Sequence, residues 1–200
     1  MYLSESFGHL CGKRFNHKGT QRFSQSNTKA KVVKIGIISD THGWIHPRLF
    51  EHFKEVDEIW HAGDIGNIET ADILAAYKPF RAVYGNIDDA VVRSAYKENL
   101  KFKAEETSIW ITHIGGTPGH YNIKIREEIL KSPPDIFICG HSHIAKVMYD
   151  KKPGLLYINP GAAGYYGFHK FMTAIRVQID GKVIHDMELI ELGERGKATL

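Results

Sequence analysis

Five apolar, β-branched runs in this 200-residue chain each end in a small residue or tight turn and then in a side chain able to bind a metal. They are Ile37-Ile38-Ser39-Asp40-Thr41-His42, Ile59-Trp60-His61-Ala62-Gly63-Asp64, Val83-Tyr84-Gly85-Asn86, Ile109-Trp110-Ile111-Thr112-His113 and Ile136-Phe137-Ile138-Cys139-Gly140-His141-Ser142-His143. Short apolar runs bounded by turn residues read as buried strands. In open α/β sheets, ligands gather beyond the carboxyl ends of the strands. Repetition of one device at five strand ends therefore predicts a rim carrying Asp40, His42, Asp64, Asn86, His113, His141 and His143.

The segments between these runs set the fold class. Strands are expected at 32–38, 57–61, 80–84, 108–113 and 135–139, with helices over 46–55, 67–77 and 121–131. Pro47 is tolerated in a first helical turn, whereas Ser132-Pro133-Pro134 stops the last helix because proline supplies no N–H. Beyond Cys139 the chain is β-rich, at 144–150, 155–159, 170–179 and 182–191, with Asp180-Gly181 as a hairpin turn. A βαβαβ start followed by mostly β structure predicts a layered α/β sandwich, parallel in its first half and antiparallel in its second. Residues 31–200 are expected to form one domain, long enough to bury a core without disulfide support.

Composition narrows the function classes. Hydrophobic residues at 42% and charged residues at 24% are ordinary for a globular chain, and no apolar run approaches the ~18 residues of a membrane span. Two cysteines, Cys11 and Cys139, make no disulfide framework and suit a reducing, cytoplasmic setting. Residues 1–30 carry a net charge of +4 and the remainder −1. A body without positive charge gives no reason to expect general nucleic-acid binding. The first 30 residues lack the continuous apolar segment of a secretory signal and read as a flexible extension.

The rim residues point to metal chemistry. Asp40 and His42 are two apart, as are His141 and His143, so each pair faces one side of an extended backbone. Seven nitrogen and oxygen donors are too many for one zinc and suit two ions sharing a carboxylate. A set without cysteine favours Mn²⁺, iron, Ni²⁺ or Zn²⁺. Two such ions about 3.5–4 Å apart can activate a water and clamp both oxygens of a phosphoryl transfer. Singly the motifs are weak, since Asp-x-His recurs by chance and Gly-Asn is usually a turn. Their order along five strands carries the signal.

Asp40-x-His42, Gly63-Asp64, Gly85-Asn86, His113 and Gly140-His141-x-His143 resemble the successive motifs of the calcineurin-like metallophosphoesterases, and in particular the small bacterial and archaeal phosphodiesterase branch related to a retromer subunit. The resemblance spans Lys34 to Gly161. It implies a four-layer αββα sandwich of two mixed β-sheets flanked by helices. It also implies a dinuclear metal-dependent phosphoesterase, a phosphodiesterase rather than a monoesterase, acting on a small phosphoester by in-line attack of a hydroxide held between two ions. On this resemblance Asp40, His42 and His143 hold one ion, Asn86, His113 and His141 hold the other, and Asp64 bridges. Manganese is the expected metal, with nickel, iron or zinc as alternatives. Asn86 doubles as a substrate contact. Asp88 matches the acidic residue after Gly-Asn, with a role in catalysis by orienting a ligand or histidine; a helix N-cap is its alternative. An edge of the β-rich half offers a route to a homo-oligomer.

Two departures qualify the resemblance. Relatives carry histidine or cysteine after Gly-Asn, where a proton can be given to the leaving oxygen; this chain has Ile87. Loss of a general acid is typically worth about 10²–10⁴-fold, so aryl phosphodiesters should be turned over better than alkyl monoesters. His120, in a Gly-rich loop, is the candidate replacement acid, with an ordinary exposed histidine as the alternative. Asn159-Pro160-Gly161-Ala162 resembles an Asn-Pro-Gly-Ser turn, but the Pro-Arg pair that follows in relatives is absent. His169 and Lys170 stand nearby, and His169 is the candidate phosphate contact, with a solvated strand entry as the alternative. His61 reads as a satisfied core histidine, Cys139 as a small apolar residue, and Trp44 and His46 as candidates for a pocket wall. A catalytically weak or inactive metal-binding scaffold working through protein partners is the competing reading.

Overall fold

The computed structural model describes residues 32–168 and 170–196, so the extension at 1–30 and His169 lie outside the described residues. The chain runs β1 (Val33–Ile38), α1 (Arg48–His52), β2 (Glu58–His61), α2 (Ile68–Tyr77), β3 (Phe80–Ala82), α3 (Ala90–Ala95), β4 (Asn99–Ala104) and β5 (Thr107–Thr112). It continues through β6 (Gly116–Thr117), β7 (His120–Tyr121), α4 (Ile123–Lys131), β8 (Ile136–Ile138), β9 (Lys146–Asp150), β10 (Leu155–Asn159), β11 (Phe171–Asp180) and β12 (Val183–Glu194). Two five-stranded sheets result, ordered β12-β11-β1-β2-β3 and β4-β5-β8-β10-β9, with β6 and β7 forming a small separate ribbon.

Side-chain alternation explains the layering. Ile35 and Ile37 of β1 point between the sheets with Trp60, Ile109, Ile111, Ile136 and Ile138, while their alternate neighbours face outward, as a period of two requires. On one outer face Ile38 and Ile59 pack with Leu49 and Phe53 of the α1 segment and Leu74 of α2. On the other, Trp110 and Phe137 pack with Ile125 and Ile129 of α4. The order is therefore helices, sheet, sheet, helix. The helices start where short polar side chains accept backbone N–H groups: Asn67 from Thr70 at 2.8 Å, Asp89 from Val92 at 3.0 Å and Asn122 from Lys124 at 2.9 Å.

Two expectations need correction. Parallel and antiparallel pairing do not divide the chain into halves. Each sheet contains a parallel trio: β1-β2-β3 runs to one edge of the first sheet, with antiparallel β11 and β12 on its other side, while β5-β8-β10 lies in the middle of the second, with antiparallel β4 and β9 on either flank. The C-terminal hairpin β11-β12 returns to the first sheet because β11 pairs with β1. The helix that follows Asn86 is capped by Asp89 and not by Asp88, which removes the N-cap alternative for Asp88.

Candidate metal centre

The carboxyl ends of β1, β2, β3, β5 and β8 meet along one edge of the double sheet. Beyond β1 the parallel ladder continues as loop pairing: Asp40 N–H donates to the Gly63 carbonyl at 2.9 Å and His42 N–H to the Asp64 carbonyl at 3.0 Å. The sheets are then joined at the site. His141 N–H donates to Asp40 Oδ2 at 3.1 Å, and the Ala62 carbonyl accepts from His113 Nδ1 at 2.8 Å. Close approach is possible because Gly85 and Gly140 carry no Cβ. A Cβ on Gly85 would lie 2.0 Å from Asp64 Oδ1, and one on Gly140 would lie 1.9 Å from Ser39 Oγ.

Two ligand groups form. Atoms of Asp40, His42 and His143 lie within 4.8 Å of one another, as do those of Asp64, His113 and His141. Asp40 Oδ1 is 3.1 Å from His143 Nε2 and 4.0 Å from both His42 and His113 Nε2. Asp64 Oδ2 is 3.2 Å from His113 Nε2 and 4.0 Å from His42 Nε2, so this carboxylate lies between the groups. Asn86 Oδ1 joins the second group at 3.1 Å from His113 Nε2. Within the first group, the Nε2 atoms of His42 and His143 face each other at 3.4 Å.

Cations fit this donor set. Asp40 Oδ1 is buried and accepts no hydrogen bond among the described residues, with His143 Nε2 facing it at 3.1 Å; a buried carboxylate oxygen costs free energy unless a positive charge or donor meets it. Histidine nitrogens at its surface, aimed inward, are what divalent ions bind. The backbone is strained at the same points, with positive φ at Asp40 (55°), His42 (50°), Asp64 (55°), His141 (67°) and His143 (58°). Burial lowers the His42 pKa below its ordinary value despite Asp40 and Asp64, leaving the ring neutral and its lone pair available. His113 is opposite: burial disfavours its charge, but the hydrogen bond to Asp64 and the charges of Asp40 and Asp64 outweigh that and raise it. Asp64 follows suit. Burial raises its pKa, but His113 and the Ile87 N–H, 3.0 Å from Oδ1, bring it below normal.

The supporting residues can be read bond by bond. Gly63 N–H donates to His61 Nδ1 at 3.1 Å, so the ring proton sits on Nε2 and points to Thr41 Oγ1 at 2.9 Å; that hydroxyl donates to the Ile65 carbonyl at 2.9 Å. His61 is thus fully satisfied, and burial holds its pKa down at about 4. Asp88 accepts three backbone N–H bonds, from Gly66 at 2.7 Å, Gly85 at 2.8 Å and Ile65 at 3.2 Å. It ties the Asp64 loop to the Asn86 loop instead of touching a ligand side chain. Asn159 Nδ2 donates to the Gly140 carbonyl at 2.9 Å while its Oδ1 accepts from Gly161 N–H at 2.9 Å, so it holds both its own turn and the His141 loop. Cys139 is buried, its thiol pKa pushed up to about 12 by burial, and it has no nucleophilic character.

His120 is exposed on the β6-β7 ribbon and belongs to neither ligand group. Ile87 is 45% exposed, and its aliphatic side chain carries no proton to give. Arg93 is marked by no sequence motif. Its guanidinium donates to the carbonyls of Asp88 at 2.7 Å and Asn86 at 2.9 Å and lies 4.9 Å from the Tyr84 ring, so it braces the Asn86 loop. Beside Asn86 and His113 opens a cavity of about 540 Å³ whose walls include Arg93, Lys101, Lys124 and Trp110.

The family model for the calcineurin-like phosphoesterase superfamily domain matches residues 33–182. A probable metallophosphoesterase of Methanothermobacter thermautotrophicus is 27% identical over 80% of this chain and 92% of its own length. One of Methanocaldococcus jannaschii is 31% identical over 66% of this chain and 68% of its own. Among solved structures, a novel archaeal phosphodiesterase superposes with TM-score 0.60 at 22% identity, covering 79% of this chain and all of that one. Zinc-complexed Vps29 of Entamoeba histolytica superposes with TM-score 0.54 at 17% identity, covering 80% of this chain and all of that one.

Proposed function

The chain belongs to the calcineurin-like phosphoesterase superfamily, and from that premise we propose that it is a two-ion phosphodiesterase. The observation that carries the reading is the pair of ligand groups sharing one rim, with the Asp64 carboxylate between them. Asp40, His42 and His143 would hold one divalent ion, and Asn86, His113 and His141 the other. When bound, two such ions lower the pKa of water and neutralise charge on the phosphoryl oxygens. The chain's own residues do the rest. His113 is locked by the Ala62 carbonyl with Nε2 facing inward, and Asp88 and Arg93 hold the Asn86 loop against the Asp64 loop. The cavity wall beside the site carries mixed charge, with Arg93, Lys101 and Lys124 set against Glu98 and Glu128 and with Lys101 paired to Glu128. Manganese is the proposed metal.

A proton for the leaving group has no evident source among the described residues, since Ile87 cannot give one. The diester preference therefore extends to good leaving groups. Ile87 also favours a second reading, a scaffold that binds metal without turnover. The retained backbone strain at five candidate ligands weighs against it, because strain persists where function or surrounding structure demands it. The test is hydrolysis of bis(4-nitrophenyl) phosphate by metal-stripped protein on return of Mn²⁺, with Asp64→Ala as the control for a contaminant. Turnover that needs Mn²⁺ and is lost in the variant is expected. Tight metal binding with no turnover of the diester would leave the scaffold.

A further inference from the structure

A line of aromatic rings runs from the surface into the first ligand group. Trp44 and Tyr165 have ring centroids 6.1 Å apart, Tyr165 and Tyr166 5.0 Å, Tyr166 and His42 6.4 Å, and His42 and His143 5.3 Å. Tyr165 is 42% exposed and Tyr166 59%, so the rings form a shelf in water rather than part of the core. Beside them lies a cavity of about 440 Å³ lined by His42, Gly43, Trp44, Asn67, Tyr165 and Tyr166. The shelf cannot drift from the candidate ligands. Ala163 N–H donates to the Ser39 carbonyl at 2.9 Å and Gly164 N–H to the Asp40 carbonyl at 3.0 Å. A Cβ on Gly164 would lie 2.4 Å from that carbonyl, so the two backbones cross at contact distance.

The cavity also presents an amide donor. Asn67 Oδ1 accepts from Thr70 N at 2.8 Å and from Thr70 Oγ1 at 2.7 Å, which orients the amide. Its Nδ2 then sits only 3.0 Å from where a Cβ of Gly43 would be, at the cavity wall. The rings are inclined to one another, by 51° between Trp44 and Tyr165 and 77° between Tyr165 and Tyr166, so they offer single ring faces with neighbouring ring edges beside them. An exposed aromatic face, an amide N–H₂ at one side and an ion-binding group at the other are parts that recognise a nucleotide: a ring face stacks a base, and an amide donates to its edge. An apolar protein segment would have no use for the amide or for the adjoining metal ligands.

We infer that this shelf binds the base of a nucleotide phosphodiester, whose phosphorus lies over the metal centre while its base stacks on the face of one of the two tyrosines, Tyr165 or Tyr166, and meets the other ring edge-on. The inference rests on the phosphodiesterase reading for its chemistry but not for its binding. Two 4-nitrophenyl esters separate the contributions: that of thymidine 5′-phosphate and that of methyl phosphate. They share a leaving group, so the missing acid affects both alike. The Mn²⁺-loaded full chain should favour the nucleoside ester in kcat/KM by about tenfold or more, the scale of base stacking on aromatic residues. Tyr165→Leu/Tyr166→Leu should bring the ratio close to one. Asn67→Asp keeps the cap oxygen and removes the donor, and it should cut the ratio without disturbing the fold. Calorimetry with adenosine 5′-monophosphate against ribose 5-phosphate gives a second readout, with about tenfold tighter binding of the nucleotide expected. Turnover of both esters at equal kcat/KM with equal affinities would overturn the shelf, keep the phosphodiesterase, and point the exposed rings to a protein partner. Base-selective binding without turnover would keep the shelf and sink the phosphodiesterase. Failure to bind either compound would overturn the inference outright.

Discussion

Among the described residues, positive φ at non-glycine positions falls mostly on candidate ligands, the others being Glu105 and Asp186. Each such conformation costs about 1–2 kcal/mol for an L side chain, and the cost is tolerated because the loops are pinned from several sides. Gly85 is one pin. A Cβ there would meet Asp64 Oδ1 at 2.0 Å and Asp64 N at 2.4 Å, and backbone in a ladder cannot yield. Gly85→Ala is expected to destabilise the protein by about 2 kcal/mol and to abolish metal-dependent turnover; a variant with normal melting and activity would contradict the site geometry. His61 gives a pH dependence. Its native pKa of about 4 lies below the ordinary 6.5, so below pH 6.5 the unfolded chain takes up a proton that the native chain refuses. Stability should therefore fall as pH drops from about 6.5 to 4, by roughly 3 kcal/mol in total from this residue. Denaturant melts of wild type and His61→Gln across that range should show a shallower slope in the variant. At Ile87, restoring an acid is the informative change. Ile87→His should raise turnover of diesters with alkyl leaving groups by about tenfold or more and leave aryl esters less affected, read as a ratio of kcat values.

At the scale of elements, the strand ends were legible because buried β runs and their terminal Asp, His and Asn recur with one spacing. β10 matches its expected span of 155–159, and β1, β2, β5 and β8 differ from theirs by about a residue at either end. β4 displays Leu100 and Phe102 alternating with Lys101 and Lys103, a period-two pattern that no ligand motif marks. The roles of Asp88, Arg93 and the tyrosine shelf were not legible, since each depends on loops brought together from different strands. Asp88 is the test case. Its two oxygens accept three backbone N–H groups from two loops, and an asparagine in its place would turn an N–H₂ toward at least one of them. Asp88→Asn should lose about 1–3 kcal/mol of stability and about 10–100-fold in metal affinity, measured by melting and by Mn²⁺ titration. A variant that binds Mn²⁺ normally would reduce Asp88 to a local turn residue.

For the whole molecule, the alternation of helix and strand conveyed an α/β sandwich, and the motif resemblance conveyed two mixed sheets. Which strands join which sheet was not contained in local pattern: β11 pairs with β1 across more than 130 residues of chain, a choice made by the shared inner core of Ile35, Ile37, Ile175 and Val177. That core leaves both parallel trios pointing their carboxyl ends at one rim, where like-charged carboxylates and close-packed histidines are held together. Ions that bind only this native arrangement must stabilise it. At about 100 times the dissociation constant, one site contributes about 2.7 kcal/mol, or roughly 5–10 °C for a domain of this size. Chelation should lower the melting temperature by at least that amount, and Asp40→Ala, which removes a ligand of one of the two ions, should reduce the difference. The central claim is that two ions share the Asp40 and Asp64 rim and that turnover needs both. The most direct measurement titrates metal-free protein with Mn²⁺ and follows bis(4-nitrophenyl) phosphate hydrolysis per ion bound. Activity that rises to a plateau at two equivalents per chain is the expected result. A plateau at one equivalent, or full turnover without added metal, would contradict the account.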